Sequence, residues 1–237
     1  MTAAEDWLRF RPSLGWAAHV WKNIVLQDHE DAREMIRGVL PEDGVALDVG
    51  AHGGQFARLL ADLAPRGTVL AVEPSSYTRA ALRAVLWLRP RRNVVVLPVA
   101  LGAEPGLGVL STPIKKRGAM GYGLASLNGA GARDAVREAV PVVTLDRLAE
   151  TLGLARLDFI KIDVEGHEGA VLRGSAATLA RFRPAILMEW RPPSLRAAGE
   201  ELDALWQWIA AQGYTPEPLQ PGLQPMGEGD WLWRPAR

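Results

Sequence analysis

Cysteine is absent from the 237-residue chain, which excludes disulfides, thiolate catalysis and zinc–thiolate sites. Net charge is absent as well, because 27 lysines and arginines balance 27 aspartates and glutamates. Without a basic excess the chain is not expected to be a general nucleic-acid or anionic-membrane binder, a local basic patch aside. No apolar run reaches the length of a membrane span, and the acidic opening MTAAED lacks a signal-peptide pattern. A cytoplasmic location with no membrane span is therefore the default expectation. The length suits one α/β domain with a complete core rather than two domains. Tryptophan, by contrast, is plentiful at 9 residues, which announces large packing or stacking surfaces.

The rest of the chain is organised around residues 45–56, VALDVGAHGGQF. Val45 to Val49 is a short apolar run rich in branched residues, suited to a strand buried on both faces. Gly50, Gly53 and Gly54 follow, and then Phe56, Leu59, Leu60 and Leu63 recur at helical spacing. Strand, glycine turn and helix open a nucleotide-binding α/β unit, since glycine lets the backbone approach a ligand closely. A second apolar strand, 68–72, ends at Glu73, about 20 residues past the turn, where a carboxylate accepts ribose hydroxyls. Asp48 decides between nucleotides. A carboxylate before the turn repels pyrophosphate, and the G-x-x-G-G spacing departs from the dinucleotide fingerprint. S-adenosylmethionine has no phosphate and carries an ammonium and a sulfonium, so Asp48 is expected near its amino-acid end.

Taken in order, residues 1–40 form a helical extension packed on the main domain, 41–237. The extension carries Trp7, Phe10, Trp16 and Trp21, and 17–40 read as mostly helical up to the turn at Pro41-Glu42-Asp43-Gly44. It either covers the cofactor or substrate mouth or packs on the sheet as an extra layer. A helix over about 53–64 is followed by the 68–72 strand, by a helix capped at Ser75 or Ser76 and running to about Leu88, and by a strand at 94–97. Arginines 83, 89, 91 and 92 read as a solvated face and loop. Glycine-punctuated hairpins or loops occupy about 102–140 and include the basic triplet Lys115-Lys116-Arg117, read as a solvated loop or a contact for an anionic substrate group. Residues 141–144 read as a strand running into a helix at 145–152. LDFIKIDVEGHEGAVLRG (157–174) then gives a buried strand, a turn at Asp163-Val164-Glu165-Gly166 and one helix with Val171, Leu172, Ala176 and Leu179 inward. A strand at 185–188 ends in Glu189-Trp190-Arg191, a helix carries Leu202, Leu205, Trp206 and Ile209, and Trp231-Leu232-Trp233 is expected as a last antiparallel strand. The fold expectation is α/β and Rossmann-like: a doubly wound, mostly parallel sheet with helices on both faces. Four strand ends then bring acids to the ligand-binding edge: Asp48, Glu73, Asp163 and Glu189.

Several segments resemble the FkbM-type methyltransferases: DVGAHGG at 48–54, AVEP at 71–74, PVALG at 98–102, ASL at 125–127, VTLD at 143–146, KIDVEGHEGAVLRG at 161–174 and ILMEW at 186–190. The KIDVEG-x-E-x-x-VL-x-G block is the most specific of these. The resemblance covers about 43–192 and implies a class I methyltransferase fold that uses S-adenosylmethionine to methylate hydroxyl groups of sugars, glycans or secondary-metabolite scaffolds. It places the cofactor against Asp48, Gly50, His52, Gly53, Gly54, Glu73, Pro74, Ser75, Ala100 and Asp163. His52 stands where the family usually has asparagine, a residue that tolerates left-handed backbone angles better.

Methyl transfer is an in-line displacement in which alignment supplies much of the rate, and an alcohol needs a base or a metal to attack at neutral pH. Asp163 is the candidate base, metal ligand or partner of the methionine ammonium; otherwise it caps a turn. His167 is the second candidate base, or an exposed histidine at a helix start. Ser126, Glu165, Glu189 and Trp190 are candidate acceptor-binding residues. Either Glu165 or Glu168 is expected to stabilise the following helix through its dipole. Magnesium on oxygen-rich ligands is conceivable but has no fixed motif behind it, so no metal site is assigned. The expected partner is a small-molecule or carbohydrate acceptor, and the oligomeric state is left open. Two other classes are weighed: an NAD(P)-dependent oxidoreductase, opposed by Asp48 and the glycine spacing, and a binding module that keeps the fold without chemistry. The second is opposed by the presence of Asp48, Gly50, Gly54 and Glu73 together.

Overall fold

The computed structural model describes residues 13–25, 30–113, 126–127 and 135–236. Trp7, Phe10, Lys115, Lys116, Arg117 and the glycines at 118, 121, 123, 129 and 131 lie outside them. Of Ser126 only its place in a two-residue strand is described.

Five short apolar runs form the parallel core of a seven-stranded sheet: β1 (Val45–Val49), β2 (Thr68–Val72), β3 (Val94–Leu97), β8 (Phe159–Ile162) and β9 (Ala185–Trp190). With β10 (Tyr214–Pro218) and β11 (Gly229–Pro235), the order is β10-β11-β9-β8-β1-β2-β3. Helices cover both faces, so the central strands are apolar at nearly every position rather than alternating. Leu47, Val49, Leu70, Ile160 and Ile162 feed one core, and Ala46, Val69, Ala71 and Phe159 feed the other. The first three strands and the helices α3 (Gln55–Leu63) and α4 (Ser76–Leu88) fall where the periodicity puts them.

The chain departs from its local pattern in four places. The tail forms two strands, not one: β10 (Tyr214–Pro218) pairs antiparallel with β11 (Gly229–Pro235), which itself inserts antiparallel beside β9. Pro216 and Pro218 are compatible with β10 because it lies at the sheet edge, where one row of donors is not needed. The single helix expected after β8 is two, α6 (Glu168–Arg173) and α7 (Ala176–Phe182). They meet at Gly174, where a Cβ would lie 2.1 Å from the Gly102 carbonyl oxygen. An unforeseen short helix, α8 (Pro192–Ala197), precedes α9 (Leu202–Ala211). The insert is a second, four-stranded sheet of order β4-β7-β5-β6. Its body is the antiparallel pair β5 (Gly106–Pro113) and β7 (Ala135–Val143), with β4 (Ala100–Leu101) and β6 (Ser126–Leu127) flanking them and α5 (Leu145–Thr151) after β7.

The N-terminal helices are α1 (Leu14–Val25) and α2 (Glu30–Arg37). α1 packs on α4 through Val20, Ala81 and Val85. α2 buries Ala32 and Ile36 in the same core as Leu59 and Leu60 of α3. No helix among the described residues is long and apolar enough to cross a membrane.

Candidate active site

A cavity of about 330 Å³ opens at the carboxyl ends of β1, β2, β8 and β9, the edge where ligands enter doubly wound sheets. Gly50, His52, Gly53, Glu73, Pro74, Ser75, Ala100 and Asp163 line it, as do Glu165 and Glu189. Asp48, Gly54, His167 and Trp190 do not.

The glycine turn is shaped by close approaches. Gly50 has φ 81°, and a Cβ there would lie 2.0 Å from the carbonyl oxygen of Asp163. Its N–H and that of Ala51 both donate to the Val72 carbonyl. His52 takes φ 47°, a left-handed angle uncommon for a side-chain-bearing residue. Its imidazole lies between the turn and α1, with ring centres 5.0 Å from His19. Burial, then the positive fields of His19 and Lys161, lower its pKa to about 4, so it is neutral at ordinary pH. A Cβ at Gly53 would lie 2.1 Å from Oδ1 of buried Asn23 on α1. The extension thus packs as a layer and also contributes Asn23 to the cavity.

Glu73 has two tasks. Its Oε2 accepts the His52 N–H at 2.8 Å, and its Oε1 accepts the Ser75 N–H at 2.9 Å and the Thr78 hydroxyl at 2.7 Å. One carboxylate therefore ties the glycine turn to the start of α4. Three bonds use three of about four acceptor positions, which leaves one toward the cavity. Burial pushes its pKa up, against the pull of these three donors. Ser75 heads α4 without a side-chain cap; the Ser76 N–H instead donates to both oxygens of Glu138 on β7.

Asp48 sits below the cavity floor. It is fully buried and faces Lys161 across the β1–β8 pair, with Lys161 Nζ 3.5 Å from Asp48 Oδ1. The same ammonium lies 3.2 Å from Asp163 Oδ2, donates to the Gly50 carbonyl at 3.3 Å and stands 5.5 Å over the Phe56 ring. Burial disfavours its charge, but Asp163 and Asp48 outweigh that and raise its pKa. Asp48 therefore acts on the cavity through Lys161, not by touching what fills it. Lys161 carries no local signal of this role, being a lysine inside the FIKI strand.

At the other end, Arg191 forks between two acids, reaching Glu165 Oε2 at 2.8 Å and Glu189 Oε1 at 2.5 Å. Glu168 takes the helix-start role: its Oε1 accepts the Val164 and Gly166 N–H groups. His167 precedes α6 without capping it and is half-buried toward Glu200, away from the cavity, with its pKa lowered mainly by burial. Its expected part as a base has no geometric support. Trp190 is wholly buried and meets Trp206 edge-on at 5.0 Å; it belongs to the core, because strand alternation sends it away from Glu189. Among the described residues no group of three or more histidine or acidic side chains is placed to hold a metal ion. Asp163 is paired with Lys161, and Glu165 and Glu189 with Arg191.

The sequence profile of the Methyltransferase FkbM domain matches residues 48–216. The chain belongs to the FkbM methyltransferase family. A crystal structure of Methyltransferase FkbM from Methylobacillus flagellatus KT superposes with TM-score 0.52 at 12% identity, covering 92% of this chain and 58% of that one. The AMB antimetabolite synthetase AmbE of Pseudomonas aeruginosa is 31% identical over 90% of this chain, which spans 12% of that protein. The hexuronic acid methyltransferase AglP of Haloferax volcanii is 26% identical over 68% of this chain and 62% of its own length. The chain therefore spans only part of each of these relatives.

The matched profile is that of a methyltransferase domain, and the cavity lies on the sheet edge where a doubly wound fold takes its ligand. Any Cβ at Gly50 would fill the turn, and Glu73, on the cavity lining, has about one acceptor position beyond its three hydrogen bonds.

Proposed function

We propose that this protein transfers a methyl group from S-adenosylmethionine to a hydroxyl oxygen of a sugar-like acceptor or a hydroxylated secondary-metabolite scaffold. The observation that carries this reading is the division of one cavity into two ends. At one end the glycine turn and Glu73 form a cofactor cradle; at the other the Glu165–Arg191–Glu189 fork presents charged hydrogen-bonding groups to an acceptor. Hydroxyls both donate to carboxylates and accept from a guanidinium, so a polyol suits both halves of the fork. The hexuronic acid named for AglP supports a sugar acceptor, and the match to an antimetabolite synthetase supports the scaffold class.

S-adenosylmethionine supplies an electrophilic methyl on a sulfonium. Glu73 and the closely approaching backbone of the glycine turn would hold the nucleoside. Asp163, 3.2 Å from the Lys161 ammonium, would face the cofactor's ammonium or the acceptor. The fork orients the attacking oxygen, and the walls fix the line of displacement.

The test is titration calorimetry with S-adenosylhomocysteine and with NAD, followed by mass spectrometry of neutral glycosides, uronic acids and hydroxylated scaffolds incubated with S-adenosylmethionine. Micromolar S-adenosylhomocysteine binding and a methyl ether product are expected. Binding of NAD in its place, or methylation only of amine nitrogens, would overturn the reading.

A further inference from the structure

We propose that Glu189 takes the acceptor's hydroxyl proton during methyl transfer, and that its hold on that proton is set by the charge of the cofactor in the same cavity. The proposal rests on the methyl-transfer reading above.

Three carboxylates line the acceptor end: Asp163, Glu165 and Glu189. Asp163 is paired with buried Lys161 at 3.2 Å, the ammonium that also faces Asp48. Glu165 has its pKa raised by burial and by Asp163, but it lies in the fields of two opposing cations, Arg191 and Lys161. Glu189 is placed differently. It sits near the end of β9, a rigid strand, and Arg191 is the cation that faces it, through Oε1. Around it stand Asp163 and Glu165 from the β8 turn and, directly opposite on β11, Asp230. Burial and then these carboxylates, against Arg191, push its pKa up to about 8. A carboxyl group of that kind exchanges protons near neutrality, as base assistance to an alcohol requires.

The step balances. The acceptor oxygen bonds to the methyl carbon, the sulfur–carbon bond breaks with its electron pair going to sulfur, and the hydroxyl proton passes to Glu189, which becomes a neutral acid and later returns it to water. The sign of the coupling follows from Coulomb's law. With a sulfonium in the cavity, Glu189 is held ionised and ready to accept. Once that charge has become a neutral thioether, Glu189 holds the proton it has received.

The test needs no acceptor. The full chain is titrated with S-adenosylmethionine and with S-adenosylhomocysteine, near pH 7.5, in two buffers of different ionisation enthalpy, which counts protons released on binding. The excess release with S-adenosylmethionine is expected to be about half a proton larger in the wild type than in Glu189→Gln, and Glu165→Gln, which also removes a carboxylate beside Glu189, is expected to keep an excess whose maximum lies at lower pH. Protons carried by the ligands themselves cancel in that comparison. Asp230→Asn, which removes a carboxylate opposite Glu189, is expected to move the pH of greatest excess downward. The same excess in wild type and Glu189→Gln overturns the proposal. If Glu189→Gln does not bind S-adenosylhomocysteine, the Asp230→Asn arm decides, and an unmoved pH overturns it. Failure of the wild type to bind either ligand overturns the methyltransferase reading instead.

Discussion

Lys161 and Asp48 face each other across adjacent parallel strands, Nζ to Oδ1 at 3.5 Å, at the one register position where β1 and β8 both carry a charge. The pair lies beneath the glycine turn, and Lys161 extends past it to Asp163. Its geometry makes the ammonium the counter-ion of two carboxylates at once. Removing one member of a buried ion pair costs more than the pair contributes, because the other charge stays buried. Lys161→Met is therefore expected to lower stability by about 3–5 kcal/mol and to abolish measurable S-adenosylhomocysteine binding. Adding Asp48→Asn is expected to restore a substantial part of the stability. Denaturant unfolding of the wild type and the two variants checks this; equal stability of single and double variants would show that the two side chains are not coupled.

Trp190 yields the opposite kind of prediction. Trp206 lies 5.0 Å from Trp190, 5.0 Å from Trp231 and 4.5 Å from Trp233, all at steep interplanar angles. Four of the chain's tryptophans thus account for one cluster between α9 and the sheet. Trp190→Phe leaves a gap but also deletes a buried indole N–H that has no hydrogen-bond partner among the described residues. The two effects oppose, and a net loss of about 1–3 kcal/mol is expected. Affinity for S-adenosylhomocysteine is expected to stay within about twofold, measured by calorimetry. A tenfold loss would put Trp190 in the cavity wall after all.

These two residues show what local pattern carries and what it does not. Strands buried on both faces are uninterrupted apolar runs, so β1 and β2 are legible to the residue, and β3, a half-exposed edge strand, is legible from its run of branched residues. The acids at the strand ends are legible too, because the alternation of strand and helix puts them on one edge. Lys161 is not, since a lysine in a strand acquires its meaning only when Asp48 is placed beside it in register. Asn23 and Arg191 likewise depend on α1 crossing the turn and on β9 lying next to β8. The break at Gly174 is set by a carbonyl 72 positions earlier in the chain, at Gly102. Pro216 and Pro218 hide β10 until the sheet order shows that it is an edge.

Glu168 makes stability fall toward alkaline pH. It is 2% exposed, and burial pushes its pKa from 4.5 up to about 7 against three backbone hydrogen bonds. The folded state therefore holds this proton more tightly than the unfolded chain, and stability declines as pH rises from 4.5 through about 7. The decline from this group amounts to about 3 kcal/mol by about pH 8. Glu168→Gln keeps an oxygen for the Val164 and Gly166 amides and cannot ionise. Its stability relative to wild type is expected to improve by about that amount between about pH 5 and about pH 8. Urea unfolding at the two pH values checks it, and a parallel decline in both proteins would rule Glu168 out as the source.

Two of the close approaches at the glycine turn, at Gly53 and Gly50, differ in what lies opposite. At Gly53 a Cβ would meet the end of a side chain, Asn23, whose Nδ2 is tied to the His19 carbonyl at 2.8 Å. At Gly50 it would meet backbone, the Asp163 carbonyl, and φ is positive as well. Gly53→Ala is expected to cost about 1–3 kcal/mol by overpacking, and Asn23→Ala in the same chain is expected to remove most of that cost, because the clash is with the atom deleted. Gly50→Ala has no such remedy: no side-chain truncation moves a carbonyl, so its cost is expected to persist in the Asn23→Ala background. A double-mutant cycle measured by thermal or denaturant unfolding separates the cases. Coupling at Gly53 and none at Gly50 would fix α1 against the turn in solution, whereas no coupling at either would place α1 away from the turn and remove Asn23 from the cavity.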